Sequence, residues 1–418
     1  MIKRKGRKER KTIQKGISNV GAGLKPALLG IFCNTKQGSG DVMVETVKAI
    51  IAMSLVGMLS ACAAMNRGAG DIRTIDHAVS HVSMVPAIKG EAAQLFVREK
   101  VLASESATPR PVVLMVHGGV SPSTLAFDVE HESYSWMNYL ARAGFDVFAM
   151  DMTGYGKSAR PKMDDPCNVG ANLQKTLMPN TLKEACKPSY PYQLVNRQSE
   201  HDDLDRVIEY IRKLRGVAKV SLLGWSGGGY RTGTYISERP EKVDKLVIFA
   251  SSNYSRKNPS KPAAVPQTGF PITIQSRELV EKQRWFPFAK CSDQIEPGMA
   301  DRIWELSKTH DPIGMTWGPG VMRAPTRTYW GWNTEEAKRI KVPTLVMLGE
   351  FDELNPSNRE LYEDLGTDNK VFVSIACGSH FLVWEKNHGA LHEASRQWLM
   401  NATFNGARRG EFRMKPGE

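Results

Sequence analysis

Six short apolar runs, five ending in Gly, Ser or Asp and the last in His, set the tightest limit on how this chain can fold. They are PVVLMVHGG (111–119), FDVFAMDMTGYG (145–156), KVSLLGWSGG (219–228), KLVIFASS (245–252), PTLVMLGEFD (343–352) and VFVSIACGSH (371–380). None alternates strictly between apolar and polar residues. A strand with one wet face alternates, whereas a strand buried on both faces does not. Helical spacing occurs between the runs. In SEHDDLDRVIEYIRKLRG (199–216), Leu204, Val207, Ile208, Ile211 and Leu214 share one face. Ser199 is placed to cap this helix, Asp202 to support its first turn and Gly216 to end it. Strands and helices in alternation predict an α/β fold with a mostly parallel central sheet and helices on both faces.

Two segments interrupt the alternation. Residues 157–198 are rich in Pro, Lys and Asn and read as a long loop. Residues 254–335 hold Pro259, Pro262, Pro266, Pro271 and Pro287, together with Trp285, Trp304, Trp317, Trp330 and Trp332, five of the nine tryptophans. Each such ring carries a large apolar surface that needs something to pack against. The segment is therefore expected to be a cap inserted over the C-terminal edge of the sheet.

The net charge of +12 would suggest a polyanionic partner if it were spread over the chain. It is not: residues 1–42 hold ten Lys/Arg against two Asp/Glu. The rest is mildly basic, and no nucleic-acid partner is expected. Residues 47–62, VKAIIAMSLVGMLSAC, follow a lysine with an eleven-residue apolar run, Ala49 to Leu59. That length suits a signal peptide and is too short to span a membrane. Leu59-Ser60-Ala61-Cys62 resembles the lipobox of bacterial lipoproteins. The resemblance implies lipidation at Cys62, a membrane anchor and placement in the bacterial cell envelope, on the periplasmic or outer-membrane side. A start at Met43 would give a compact leader, making 1–42 an over-extended start or an extension.

The expected organisation is an extension and signal peptide over 1–61 and a linker over 62–94. A core follows over 95–253 and 336–418, interrupted by the cap at 254–335. Export would place Cys167, Cys186, Cys291 and Cys377 in an oxidising compartment. Four cysteines allow three pairings. Cys167 with Cys186 is favoured, because these two flank one polar stretch.

Gly224-Trp225-Ser226-Gly227-Gly228 fits G-x-S-x-G between an apolar strand and a helical segment. This context suits a sharp strand–turn–helix elbow that presents a serine hydroxyl at its tip, with glycines where bulk cannot fit. A serine hydroxyl is a weak nucleophile and needs a base, itself oriented by a third group. His380 closes the last run and is the candidate base; His310 and His388 are rivals that follow no strand. Asp352 lies just past the end of its strand and is the candidate acid, with Glu350 and Glu353 as alternatives. A developing oxyanion needs backbone donors. Gly227 offers one N–H and Gly119 the other, with Val120 as the alternative; His117 reads as structural.

In this order His117-Gly118-Gly119, DMTGYGKS (151–158), the serine elbow, GEFD and GSH resemble the α/β-hydrolase superfamily over about residues 95–400. Thr153 stands where that family's turn usually carries arginine. The resemblance implies a catalytic triad of Ser226, Asp352 and His380. It also implies a serine hydrolase acting on a small-molecule carboxylic ester. The same machinery could instead cleave an amide, peptide or carbon–carbon bond. An aminopeptidase would need cap carboxylates such as Glu278, Glu281, Glu296, Asp301 or Glu305 to hold the amine. A binding module without catalysis is the third possibility. Neither a metal-ligand cluster nor a cofactor fingerprint is evident, so none is expected.

Overall fold

The computed structural model describes residues 70–104, 109–415 and 417. The expected extension, signal peptide and Cys62 lie outside the described residues. In chain order the strands are β1 (Ile72–Val82), β2 (Ala92–Leu102), β3 (Val112–Val116), β4 (Asp146–Met150), β5 (Val195–Asn196), β6 (Val220–Trp225) and β7 (Val243–Phe249). They continue as β8 (Ile272–Ser276), β9 (Val321–Pro325), β10 (Arg327–Thr328), β11 (Thr344–Gly349), β12 (Lys370–Ile375) and β13 (Arg409–Met414). Nine of these form one sheet in the order β1-β2-β4-β3-β6-β7-β11-β12-β13. The β1–β2 and β2–β4 pairs are antiparallel and every other neighbour is parallel. The α/β architecture is thus the one the apolar runs predicted.

The reason lies in those runs. β3, β4, β6 and β11 are buried at every position. Helices pack on the sheet, among them Arg197–Arg215, Gly227–Glu238 and His388–Asn401. Each fully buried Leu, Ile or Val contributes about 1.5–3 kcal/mol relative to exposure. A sheet covered on both faces can therefore afford no polar alternation.

Several details differ from the sequence-based expectation. Residues 62–94 are no linker where they are described: β1 is an eleven-residue edge strand paired along its length with β2. Its alternating IRTIDHAVSHV suits one wet face, unlike the continuous apolar runs of the central strands. The helix expected from Ser199 starts at Arg197, and its N-cap is Asn196. Asn196 Oδ1 accepts from Ser199 N at 3.2 Å, and Asn196 N donates to Ser199 Oγ at 3.1 Å. Ser199 thus occupies the third position of a reciprocal capping box. Asp202 falls beyond the first turn and pairs with Arg206. Leu214, near the helix end, is 41% exposed.

The largest difference concerns 157–198. This segment is half of the inserted layer rather than a separate loop. Met163, Leu177 and Leu194 share a small second core with Ile272, Trp317 and Val321 of the 254–335 segment. The β5–β10 pair joins the two halves. Short 3-10 turns and two-residue strands have no period long enough to read in the sequence. The favoured disulfide, Cys167–Cys186, is formed inside this layer with Cα atoms 5.3 Å apart. Cys291 and Cys377 form a second bond across 86 residues.

Candidate active site

β6 ends at Trp225, and the helix Gly227–Glu238 begins two residues on. Ser226 alone makes the turn, at φ 55° and ψ −117°. Such a backbone is strained for a residue with a side chain and must be held by its surroundings. Ser226 N donates to Phe249 O at 2.9 Å, and Ser252 N donates to Ser226 O at 3.1 Å. Both partners lie at the exit of β7. The flanking glycines are required by space. A Cβ on Gly228 would stand 1.9 Å from Val116 O, and one on Gly224 would stand 2.4 Å from Gly228 O.

The Ser226 hydroxyl faces an imidazole. His380 Nε2 lies 3.0 Å from Ser226 Oγ, and His380 Nδ1 lies 3.0 Å from Asp352 Oδ2. Asp352 follows β11 by three residues, and its other oxygen accepts from Leu354 N at 2.9 Å. His380 and Asp352 are buried. Trp225, next to the serine, donates its indole N–H to His380 O at 3.1 Å, tying the histidine loop to the elbow. The array can take a proton from the hydroxyl, hold the resulting imidazolium and steady it with a carboxylate.

The rival residues are engaged elsewhere. His310 contacts Thr124 Oγ1, and His388 contacts Ser133 Oγ. Glu350 accepts from Cys377 N and from Arg413, while Glu353 is exposed. His117 is fully buried; its Nε2 accepts from Met152 N at 3.1 Å, and its Nδ1 lies 2.8 Å from Gly118 O. Burial, then the nearby Arg231 charge, holds its pKa well below the ordinary histidine value. It is a neutral brace for the loop.

That loop, Gly118-Gly119-Val120, passes directly against the elbow. A Cβ on Gly118 would lie 2.8 Å from Ser226 Cβ. Gly119 N is 3.5 Å from where a Gly227 Cβ would stand. The two expected donors, Gly119 N–H and Gly227 N–H, therefore belong to adjacent backbone segments beside the serine. Val120 lines the pocket into which Ser226 opens and adopts φ 68°.

Sequence reasoning missed the charges behind this loop. Arg231, fully buried, donates to His117 O at 2.5 Å and Gly118 O at 3.3 Å, and pairs with Glu200 at 2.8 Å. Arg327 Nε lies 3.7 Å from the same carboxylate. Burial alone would raise the Glu200 pKa; Arg327 and Arg231 outweigh it and hold it below the usual carboxylate range. Arg231 stands within the glycine-rich stretch itself, but a helical arginine looks like surface until its burial is seen. Glu385 was missed as well. It accepts from Ser379 N, Trp285 Nε1 and Gln294 Nε2, at 2.9, 3.0 and 2.9 Å. It thereby joins the inserted layer to the loop that carries His380.

The serine opens into a cavity of about 210 Å³. Trp285, Trp304, Ile303, Met322, Phe381 and Trp384 make its wall largely apolar. Of the five cap tryptophans only Trp285 and Trp304 reach it. Trp317 belongs to the second core, Trp330 lies 4.2 Å from the Arg197 guanidinium, and Trp332 is buried against Gly233. All five cap carboxylates that might hold a substrate amine already have basic partners. Glu278 pairs with Lys282, Glu281 and Asp301 with Arg277, Glu296 with His131, and Glu305 with Lys308.

Among the described residues, His131, Glu132 and Glu296 could bring metal-ligating atoms within 4.8 Å of one another. The His131–Glu296 contact at 3.1 Å already uses two of them. No helix among the described residues is long and apolar enough to cross a membrane.

Fold and site together define an α/β protein with a serine elbow at the C-terminal end of a central parallel strand. A family model for the alpha/beta hydrolase fold matches residues 111–387, well over half of the sequence, and the chain belongs to that family. It is 24% identical over 230 residues to 1-acylglycerol-3-phosphate O-acyltransferase of Arabidopsis thaliana, a match covering 54% of this chain and 40% of the plant protein. The chain thus spans less than half the length of that relative. Among solved structures it is similar to naproxen esterase from Bacillus subtilis, at 14% identity and TM-score 0.46, covering 79% of this chain and 93% of the esterase. It is also similar to monoacylglycerol lipase of Paleococcus ferrophilus, at 19% identity and TM-score 0.43, covering 74% and 99% of the respective chains. Neither likeness bears on substrate.

Proposed function

We propose that this protein is a serine hydrolase acting on small carboxylic esters through an acyl-enzyme. Ser226 Oγ attacks the ester carbonyl carbon while His380 Nε2 takes its proton. Asp352 fixes the imidazole tautomer and stabilises the imidazolium. The tetrahedral oxyanion is met by the N–H groups of Gly227 and Gly119. Collapse expels the alcohol, which leaves with the proton from His380. Water, deprotonated by the same imidazole, then releases the acid and restores Ser226.

The observation that carries this proposal is the position of His380, 3.0 Å from both Ser226 Oγ and Asp352 Oδ2. The apolar wall and modest volume favour a small ester over a bulky one; drug-sized ligands usually occupy about 300–1,000 Å³. Pairing of the cap carboxylates weighs against an aminopeptidase. The test is labelling by a fluorophosphonate probe together with turnover of p-nitrophenyl esters and aminoacyl anilides. Wild-type protein should be labelled and Ser226→Ala should not. Folded wild type that resists labelling would favour the binding module, and turnover of anilides alone would reject the esterase.

We further propose export and lipidation at Cys62, with the protein held at the bacterial cell envelope. The two disulfides support this placement, since such bonds persist in oxidising compartments. Replacing Cys62 with serine should abolish incorporation of labelled lipid and membrane retention; unchanged retention would reject the anchor.

A further inference from the structure

Arg284 lines the same cavity as Ser226 and His380. It sits on the π-helical turn Leu279–Trp285, where the surrounding charges are otherwise neutralised. Glu278 pairs with Lys282 at 3.1 Å, and Arg277 pairs with Glu281 at 2.6 Å. Arg277 also holds Asp301. Among the described residues, no carboxylate lies within ion-pairing distance of Arg284. Its guanidinium carbon instead stands 5.9 Å from the centre of the Phe381 ring. Phe381 follows the candidate base in sequence, and the two rings meet edge-on at 5.5 Å. Arg284 is half-buried.

A guanidinium is charged at any physiological pH and offers five donors in a planar fork that matches carboxylate and phosphate oxygens. A neighbouring aromatic face satisfies part of that charge but accepts none of those hydrogen bonds conventionally. The rest of the wall is mostly apolar, so an opposite charge brought there is screened less than at an open surface. Arg277 cannot serve in the same way, because Glu281 and Asp301 already occupy it. The cavity therefore presents one uncompensated cation a few contacts from the hydroxyl of Ser226.

We propose that the ester accepted by this site carries an anionic group, carboxylate or phosphate, which Arg284 binds while the ester carbonyl faces Ser226. The inference rests on the serine-hydrolase function proposed above and adds the substrate class. An anion at Arg284 would hold the scissile bond in register, so the gain is expected in kcat/KM and in binding. Charge-assisted hydrogen bonds of this kind contribute about 1.5–3 kcal/mol, or roughly tenfold and upward in affinity.

The test uses two matched pairs of esters. Mono-p-nitrophenyl adipate is compared with p-nitrophenyl hexanoate, which places the charge on the acyl side. The hexanoate ester of 3-hydroxypropyl phosphate is compared with propyl hexanoate, which places it on the alcohol side. The kcat/KM ratio is measured for wild type and Arg284→Met, with Lys282→Met as an exposed-charge control. Affinities for the same four compounds are measured on full-length Ser226→Ala, with and without Arg284→Met. At least one anionic ester should be preferred by about tenfold at low salt. That ratio should fall with added salt, collapse towards one in Arg284→Met and persist in Lys282→Met. Absence of preference in both pairs, or a preference that survives Arg284→Met, overturns the proposal. If wild type turns over none of the four, the esterase assignment fails, while the affinities on Ser226→Ala still decide the role of Arg284.

Discussion

Cys377, three residues ahead of His380, is bonded to Cys291 in the inserted layer. A covalent link thus joins the inserted layer to the loop that presents the imidazole. Glu385 reinforces it, since Trp285 and Gln294 donate to the same carboxylate as Ser379. The histidine and its roof are held as one unit.

Breaking that link should cost both stability and turnover. The bond closes 86 residues, for which chain entropy gives about 4.5 kcal/mol. The double change Cys291→Ser/Cys377→Ser should lower the denaturation midpoint accordingly and reduce kcat by loosening His380. The bond Cys167–Cys186 closes only 19 residues, and its removal should cost about 3 kcal/mol with a smaller effect on kcat. Urea unfolding and steady-state kinetics on both variants check the order. An equal kcat loss in both would refute the special role of the Cys377 bond.

Asp352 and Glu350 should separate cleanly. Asp352→Asn keeps the shape but misorients the imidazole, and kcat should fall by about 10⁴. Glu350→Gln touches only the contacts to Cys377 N and Arg413, and should change kcat by no more than a few-fold. Comparable losses would mean that the acid has been misassigned.

Arg231→Met should be severely destabilising. It leaves Glu200 buried with only the more distant Arg327, and removes the donor to His117 O and Gly118 O. Breaking a buried pair from one side costs about 3–5 kcal/mol. Calorimetry should register that loss. The residual folded enzyme should show a lowered kcat, because the loop bearing Gly119 is no longer held.

The elbow glycines give a steric prediction. Gly228→Ala drives a methyl to within 1.9 Å of Val116 O and should cost about 3 kcal/mol or more. At Gly119 a Cβ meets nothing within 4 Å, so Gly119→Ala should fold near-normally. Expression and melting of the two variants provide the comparison.

Stability should decline on mild acidification. His117 and His392 are fully buried, and burial depresses both pKa values well below the ordinary 6.5. In that window the unfolded chain binds protons that the folded chain refuses, so stability falls as pH drops below about 6.5. Thermal melts from pH 7.5 to 5 should show the decline, with a shallower slope in His392→Gln. An unchanged slope would assign the effect to other groups.

Much of this was legible in the sequence, for identifiable reasons. A strand covered on both faces must be continuously apolar, so β3, β4, β6, β7, β11 and β12 announced themselves. An elbow that tolerates no Cβ at two positions must carry glycines there, so Ser226 stood out. Asp352 and His380 followed from their places just past strand ends.

Other features only the tertiary structure decided. β1 alternates because one face is wet, so it lacks the continuous apolar signature of the buried strands. The 157–198 segment acquires its core only against residues distant in sequence, such as Ile272, Trp317 and Val321. Arg231 and Glu385 look like ordinary surface charges until burial and partners are known. Local chemistry constrains the chain through φ, bulk and periodicity, which neighbouring residues already express. Which charges are buried together, and which one faces the cavity unpaired, depends on contacts that exist only once distant segments have packed.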